Sequence, residues 1–399
     1  MEGVDNDRLV PPRLHIDPPL FNSANPWATM LEHLRALYAC KSTGAVTTRT
    51  ALLGQGFPHD DGVHRFAFFE ARAHRVFSSG DDGKGKGGEE KVKVDEGAIT
   101  GADASLNTLG YSPITLDTYL EFIRIIDEEE QEKRNVKEKK KPFIVSVTGT
   151  PEEVAECYRR IARAASALVV VGGLAMEVNL SCPNIPGKPP PAYDGDALGA
   201  YLKCIATAAA GVANDTNSST GERRGERERE RVIPWGVKTP PYTHAGQFEM
   251  LVQRLRNCAA ALRKGDDKGG SSGEEGRRET MMTVSPVSFV TATNTLGSCL
   301  LLDEERAPAL PGLGIGGLAG APLHPLALGN VATIRRMLDE YPETRHIAVL
   351  GIGGVDGAAA YKRMRSVGAQ AVGVGTALGV KGLGVFEEIE RELGGTWDV

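Results

Sequence analysis

Residues 175–189 read AMEVNLSCPNIPGKP. The short run Ala175–Val178 reads as a buried strand, and just beyond it stand two amides, a hydroxyl and a thiol: Asn179, Ser181, Cys182 and Asn184. A strand that delivers polar groups at its C-terminal end is how a parallel α/β sheet builds a site. Amides can read a planar heterocycle through paired donors and acceptors, and a thiol can act as base or nucleophile. The plainer alternative is a strand end followed by a Pro-Asn turn, with Cys182 an inert core thiol.

The same punctuation recurs along the chain. Short β-rich runs occur at Pro19–Ser23, Gly44–Thr50, Pro142–Gly149, Met176–Ser181, Val232–Lys238, Val287–Asn294, His346–Gly351 and Ala371–Thr376. Between them lie helical patterns at Trp27–Tyr38, Leu116–Ile126, Pro151–Ala165, Ala197–Ala213, Gln247–Leu262, Leu328–Glu340, Ala358–Ser366 and Leu383–Leu393. Pro151 followed by Glu152 and Glu153 suits a first helical turn. Strands rich in Val and Ile that alternate with helices predict a parallel sheet, and eight such units predict an α/β fold of the (β/α)8 TIM-barrel type. A doubly wound sheet is the alternative, but no GxGxxG follows the first strand with an acid about twenty residues on.

Four stretches stand apart by composition: 79–96, 128–141, 214–231 and 264–280. They are rich in charge, mostly with Gly, and read as solvated insertions in surface loops of one barrel domain spanning 13–399; the segment 128–141 could extend a helix.

On such a barrel Asn22, Arg49, Ser146, Asn179, Ser181, Cys182, Lys238, Asn294, Gly353 and Thr376 fall at or just after strand ends, which is the catalytic face. A lysine in a barrel mouth, as Lys238 would be, must be paired or serve an anion. Glycines after the seventh strand (Gly351-Ile352-Gly353-Gly354) and the eighth (Gly375-Thr376) bare backbone N–H groups suited to a phosphate.

The 399 residues, 41% of them hydrophobic, are ample for such a core, and a net charge of −6 gives no basic footprint for nucleic acid or an acidic membrane. Six scattered cysteines without CxxC spacing argue against zinc and against a disulfide framework, so no metal is expected. The acidic N-terminus shows neither signal nor transit pattern, and no stretch approaches the roughly 20 apolar residues of a membrane span. A cytoplasmic protein is expected.

Asn179–Pro189, NLSCPNIPGKP, closely resembles the active-site segment of class 1A, fumarate-type dihydroorotate dehydrogenases. The likeness runs from about residue 13 to 393. Gly236–Tyr242 (GVKTPPY) is similar to that family's GVK(L/M)PPY, Ser105–Tyr111 (SLNTLGY) to its SINSMGL, Asn294–Gly297 to its NSIG, and Gly312–Gly317 to its GFGGIGG loop. The resemblance implies FMN-dependent oxidation of (S)-dihydroorotate to orotate in pyrimidine (UMP) biosynthesis. Cys182 would be the base at C5 while hydride leaves C6 for flavin N5, and fumarate would reoxidise the flavin. Lys238 would stabilise the anionic reduced flavin. Substrate would be held by Arg49, Asn107, Leu109, Gly110, Tyr111, Asn179, Asn184, Asn294 and Thr295. FMN would be held by Asn22, Ser23, Ala24, Arg49, Thr50, Ser146, Asn179, Lys238, Gly316, Gly317, Gly353, Gly354, Gly375 and Thr376. Relatives of this class are homodimers.

The departures are local. Thr48-Arg49-Thr50 stands where the family has Thr-Lys-Ser, and Arg is not interchangeable with Lys. Gln55–Asp60 (QGFPHD) replaces EGNPxPR, Asn25 replaces a glycine beside the flavin, and Thr295 replaces a serine. A diverged FMN oxidoreductase with another substrate or acceptor is therefore a second reading. A non-catalytic binding protein, with the charged insertions as interaction tails, is a third.

Overall fold

In a computed structural model, residues 11–60, 62–77, 99–133, 140–182, 189–218, 231–261 and 283–397 are described. The stretches 79–96 and 264–280, with 134–139 and 219–230 of the other two insertions, lie outside them, as does Asn184. Eight strands form one parallel sheet: β1 (Leu20–Asn22), β2 (Val46–Thr47), β6 (Phe143–Val147), β7 (Leu174–Asn179), β8 (Trp235–Lys238), β11 (Phe289–Ala292), β14 (Ala348–Ile352) and β15 (Ala371–Val374). Their order is β1-β15-β14-β11-β8-β7-β6-β2, and a parallel bridge between Phe21 and Ala45 closes the ends into a barrel. Each falls within or overlaps one of the eight runs read from the sequence.

Alternation along these strands sorts side chains into two cores. Phe21, Ile144, Ala175, Phe289, Leu350 and Ile352 meet inside the barrel, whereas Leu20, Val145, Met176, Val237 and Val290 pack outward against helices. Two glycines make room for the inner layer. A Cβ on Gly236 would lie 2.1 Å from Phe289 O and 2.5 Å from its ring, and one on Gly373 would lie 2.7 Å from Ile352.

The outer helices are α1 (Leu31–Ala39), α2 (Leu116–Glu132), α3 (Pro151–Ala167), α4 (Gly195–Ser218), α5 (Ala245–Asn257), α6 (His324–Asp339), α7 (Ala358–Ser366), α8 (Thr376–Lys381) and α9 (Gly384–Glu392). At α3 Thr150 and Glu153 form a reciprocal capping box around Pro151. Three expectations need correction. The pattern Trp27–Tyr38 is broken at Thr29–Met30: residues 26–28 form one 3₁₀ turn, and Thr29 Oγ1 donates to Pro26 O at 2.8 Å. The pattern Gln247–Leu262 ends at Asn257, where Cys258 caps α5. Beyond it lies a backbone pair, β9 (Ala260–Ala261) with β10 (Thr283–Val284).

The third correction is larger. A second, antiparallel sheet of order β12-β13-β5-β3-β4 is built from β3 (Phe66–Glu70), β4 (Arg75–Phe77), β5 (Ala104–Asn107), β12 (Leu296–Leu300) and β13 (Ile315–Gly320). Gly316 and Gly317, named above among the FMN contacts that the resemblance implies, sit in β13. There a Cβ on Gly316 would strike Asn107 O at 2.6 Å, so the glycine permits close strand approach. The sheet leans on the barrel mouth. Trp27 stacks on Phe68 (centroids 5.7 Å apart, planes at 16°), and Ser105 Oγ and Thr376 Oγ1 are 2.9 Å apart.

Below the barrel, Asp127 on α2 ties down the link from α3 to β7. Its carboxylate accepts from the N–H groups of Val169, Val170 and Val171 at 2.7–3.2 Å and from Gln131 Nε2 at 2.7 Å. Burial alone would raise its pKa, but these donors outweigh burial and hold it below the usual value. A depressed folded pKa means stability that is present above the unfolded pKa near ~3.9 and is lost as pH falls through the folded value. We expect Asp127→Ala to cost about 2–3 kcal/mol at pH 7 by urea unfolding. The gap between variant and wild type should narrow steadily below about pH 4; a gap unchanged down to pH 2.5 would rule this account out.

Candidate active site

An open cleft enclosing about 1310 Å³, with the solvent at its mouth included, occupies the C-terminal end of the barrel under the second sheet. Of the residues singled out in the sequence, Cys182, Lys238, Arg49, Asn107, Leu109, Gly110, Asn179, Asn294, Thr295, Ser23, Ala24, Thr50, Gly353, Gly354, Gly375 and Thr376 line it. Asn22, Ser146, Tyr111, Gly316 and Gly317 do not. Trp27, Phe66, Asn25, Gly320 and Thr293 line it as well.

The strand ends hold one another through a directed relay. Asn294 Nδ2 donates to Asn179 Oδ1 at 3.2 Å and to Ser181 Oγ at 3.0 Å. Asn179 Nδ2 donates to Thr50 Oγ1 at 3.0 Å, Thr50 and Ser146 hydroxyls are 3.0 Å apart, and Ser146 Oγ donates to Glu177 Oε1 at 3.0 Å. Because the relay ends on a carboxylate, each hydroxyl must donate toward Glu177, which fixes which way the Asn179 amide faces. Ser146 is thus a support beneath the floor. Asn22 is another: its amide donates to Thr47 O at 2.7 Å and accepts from Thr47 N at 3.0 Å, tying β1 to β2.

Two cations enter the cavity without carboxylates. Lys238, 4% exposed, has no side-chain hydrogen bond and no ion pair among the described residues. Arg49, 9% exposed, has no ion pair among them either. Burial pushes its pKa down to about 10, with Tyr119 and Cys182 acting the other way. Its Nη2 lies 3.3 Å from His59 Nε2, which lies 2.8 Å from Tyr111 O. One ring nitrogen cannot accept from the first and donate to the second, and the shorter contact requires an N–H on His59. Arg49 therefore faces a donor there.

The loop 55–60 covers this corner with aromatic contacts. Phe57 meets Tyr111 edge-on at 5.7 Å and His59 at 5.5 Å, and a Cβ on Gly110 (φ +66°) would strike the Phe57 ring at 2.6 Å. The Tyr111 phenol is pushed well above its ordinary range by burial, then by the nearby Cys182, against a hydrogen bond with Thr148. Asn107 spends part of its amide on Gly317 O at 3.2 Å.

The opposite end suits an anion. Gly353, Gly354 and Val355 line the cavity, and none of their backbone N–H groups has an acceptor among the described residues. Asn25 adds a buried side chain whose nitrogen and oxygen are both without partners among them. An elongated cofactor with a phosphate at one end and a heterocycle near Lys238, such as FMN, fits this donor set. Sequence reading passed over Asn25 as a contact because it departs from the family pattern; its lack of partners is visible only in three dimensions.

Residues 274–396 match the family model described as dihydroorotate dehydrogenase. The dihydroorotate dehydrogenase (fumarate) of Trypanosoma cruzi is 31% identical over 294 residues, 72% of each chain. A putative dihydroorotate dehydrogenase A (fumarate) of Streptococcus agalactiae is 26% identical over 291 residues, again 72% of each. Among solved structures, DHODH from Eimeria tenella in complex with ferulenol superposes with a TM-score of 0.59 at 16% identity, over 94% of this chain and 80% of that one; it supports the fold alone. With the barrel, the strand-end amides and these relatives in agreement, the chain belongs to the class 1A, fumarate-type dihydroorotate dehydrogenase family.

Proposed function

We propose that this protein oxidises (S)-dihydroorotate to orotate with FMN and passes the electrons to fumarate, as a step of pyrimidine synthesis. The observation that carries the reading is the convergence of Cys182, Lys238, Arg49, Asn179 and Asn294 on a cavity whose far end offers unused backbone donors. FMN, when bound, supplies the two-electron acceptor. Cys182 takes the proton from the ring carbon next to the one that loses hydride. Lys238 offsets negative charge as it develops at the cofactor. Arg49 receives the substrate carboxylate, which removes its lack of an anion, and Asn107, Asn179, Asn184 and Asn294 pair with ring carbonyls and N–H groups. Leu109, Gly110, Thr295 and Tyr111 shape that end.

Binding of FMN is assigned to Ser23, Ala24, Asn25, Thr50, Gly353, Gly354, Gly375 and Thr376, with Asn22 and Ser146 supporting from behind. Among the described residues no helix is long and apolar enough to cross a membrane. A cytoplasmic homodimer of one barrel domain over 13–399 is the assembly we propose. Exposed Leu300, Leu302, Leu313 and Ile315 cluster on and beside the β12–β13 pair and suit a covered surface. A second reading, another anionic substrate or acceptor, rests on Arg49 and its loop.

Three outcomes are expected. The purified protein should be yellow, lose its colour anaerobically with dihydroorotate and regain it with fumarate; colour that returns only with another acceptor removes fumarate from the reading. Stopped-flow bleaching of Cys182→Ser should be about 10²- to 10⁴-fold slower while the flavin stays bound, and full speed in that variant would dismiss Cys182 as the base. Arg49→Met should raise KM for dihydroorotate at least about tenfold, yet raise resistance to urea by roughly 1–3 kcal/mol, since it deletes a buried, unpaired charge. Lower stability in that variant would mean that Arg49 is a structural residue.

A further inference from the structure

His324 opens α6 directly behind the glycine turn that follows β14 and does not itself line the cavity. Its Nδ1 is 2.7 Å from Gly353 O, and Arg363 Nε, from α7, donates to its Nε2 at 3.1 Å. These contacts leave a single proton arrangement. An arginine Nε is always a donor, so Nε2 must accept; the ring proton is then on Nδ1, donated to the Gly353 carbonyl. Burial, with the Arg363 charge, keeps the pKa below the usual histidine value, against the pull of the Gly353 carbonyl and Asp356.

The turn is pressed hard against this helix start. Gly353 and Gly354 have φ of +135° and +65°. A Cβ on Gly353 would lie 2.6 Å from Ala327 Cβ, and one on Gly354 would lie 2.6 Å from His324 Cβ and 2.7 Å from Gly320 O. Only glycine fits here. Because a trans peptide is planar, fixing the Gly353 carbonyl on His324 turns the Gly354 N–H to the opposite side. That N–H has no acceptor among the described residues, like those of Gly353 and Val355 beside it.

We propose that His324, held in one tautomer by Arg363, is a positioning residue that aims the 353–355 amides at the phosphate of the cofactor. This rests on the FMN reading above. The inference concerns the phosphate alone, so it separates FMN from riboflavin, which lacks that group.

The test measures flavin affinity by release from the holoprotein on dilution, read as the gain in flavin fluorescence. His324→Leu should weaken FMN about tenfold or more, the loss of one well-placed buried hydrogen bond and the misdirection that follows, and should leave riboflavin affinity within about twofold. His324→Asn places an amide Nδ2 near the position of Nδ1 and should restore most of the FMN affinity. Arg363→Met should weaken FMN about threefold in the wild-type background and have no effect beside His324→Asn, which has no tautomer to set. Wild-type affinity in His324→Leu, or an equal loss of FMN and riboflavin, overturns the proposal. Failure of His324→Asn to recover any affinity overturns it too, since the histidine would then act by packing alone. A wild-type protein that binds no FMN fails at the earlier step and overturns both.

Discussion

A carboxylate sealed inside the barrel organises the reaction face. Glu177 points into the interior from β7 and is 1% exposed, so its oxygens must be met by donors from the same small space. Ser146 meets one of them, and that obligation passes outward through Thr50 to Asn179 and on to Asn294. Four strands, β2, β6, β7 and β11, are thereby locked in mutual register just where they end. The residue following the relay is Cys182, three positions beyond β7 and one past Ser181, which is itself bonded to Asn179 Oδ1 at 3.0 Å. The chain entering Cys182 is thus held by a network anchored on Glu177, and a site built this way is preorganised before any ligand arrives.

The same cavity stores an electrostatic debt in its two cations. Lys238 and Arg49 are desolvated, and neither is balanced by a carboxylate among the described residues. In a single stable fold with no other task such groups would be selected away, because a paired or apolar replacement is more stable. Both line the same cavity, which suits a ligand that brings negative charge to each. Unused N–H groups at Gly353–Val355 make the same demand at the other end. On the function proposed above, anions occupy both places.

The barrel was legible because its strands are short, mostly apolar runs at regular spacing and its helices carry local start signals, as Thr150, Pro151 and Glu153 show. The second sheet was not. Its strands are three to six residues long, and β12 and β13 are rich in glycines and small residues, Gly297, Ser298, Gly316, Gly317, Ala319 and Gly320, whose composition reads as loop. Their strand geometry comes from pairing partners far away in sequence, such as Leu106 opposite Leu318. The break after Ala28 was hidden for a related reason. Trp27 obeys helical spacing, but it turns inward to stack on Phe68, a residue of the sheet the pattern could not reveal. At the site, the chemistry-bearing residues were readable from motif and strand end, whereas the supports behind them, Glu177, His59 and His324, carry no local signature.

Arg49 shows how one substitution and one loop exchange act together. Where the family has lysine, a planar guanidinium needs more room and more acceptors. The loop 55–60 supplies instead an imidazole whose single inward nitrogen is taken by Tyr111 O at 2.8 Å. That bond ties the loop to the Leu109–Tyr111 turn, which Phe57 also presses upon through the gap left by Gly110. The consequence for Arg49 is negative in a useful sense: its nearest polar neighbour in the loop cannot accept from it. Its fork of donors remains for an anion in the cavity it lines, and a planar carboxylate bound there would gain two parallel hydrogen bonds where lysine would offer one charge. On the function proposed above, the exchange of Lys for Arg and of the EGNPxPR loop for an aromatic one act together, leaving the carboxylate grip to the residue just past the strand end of β2.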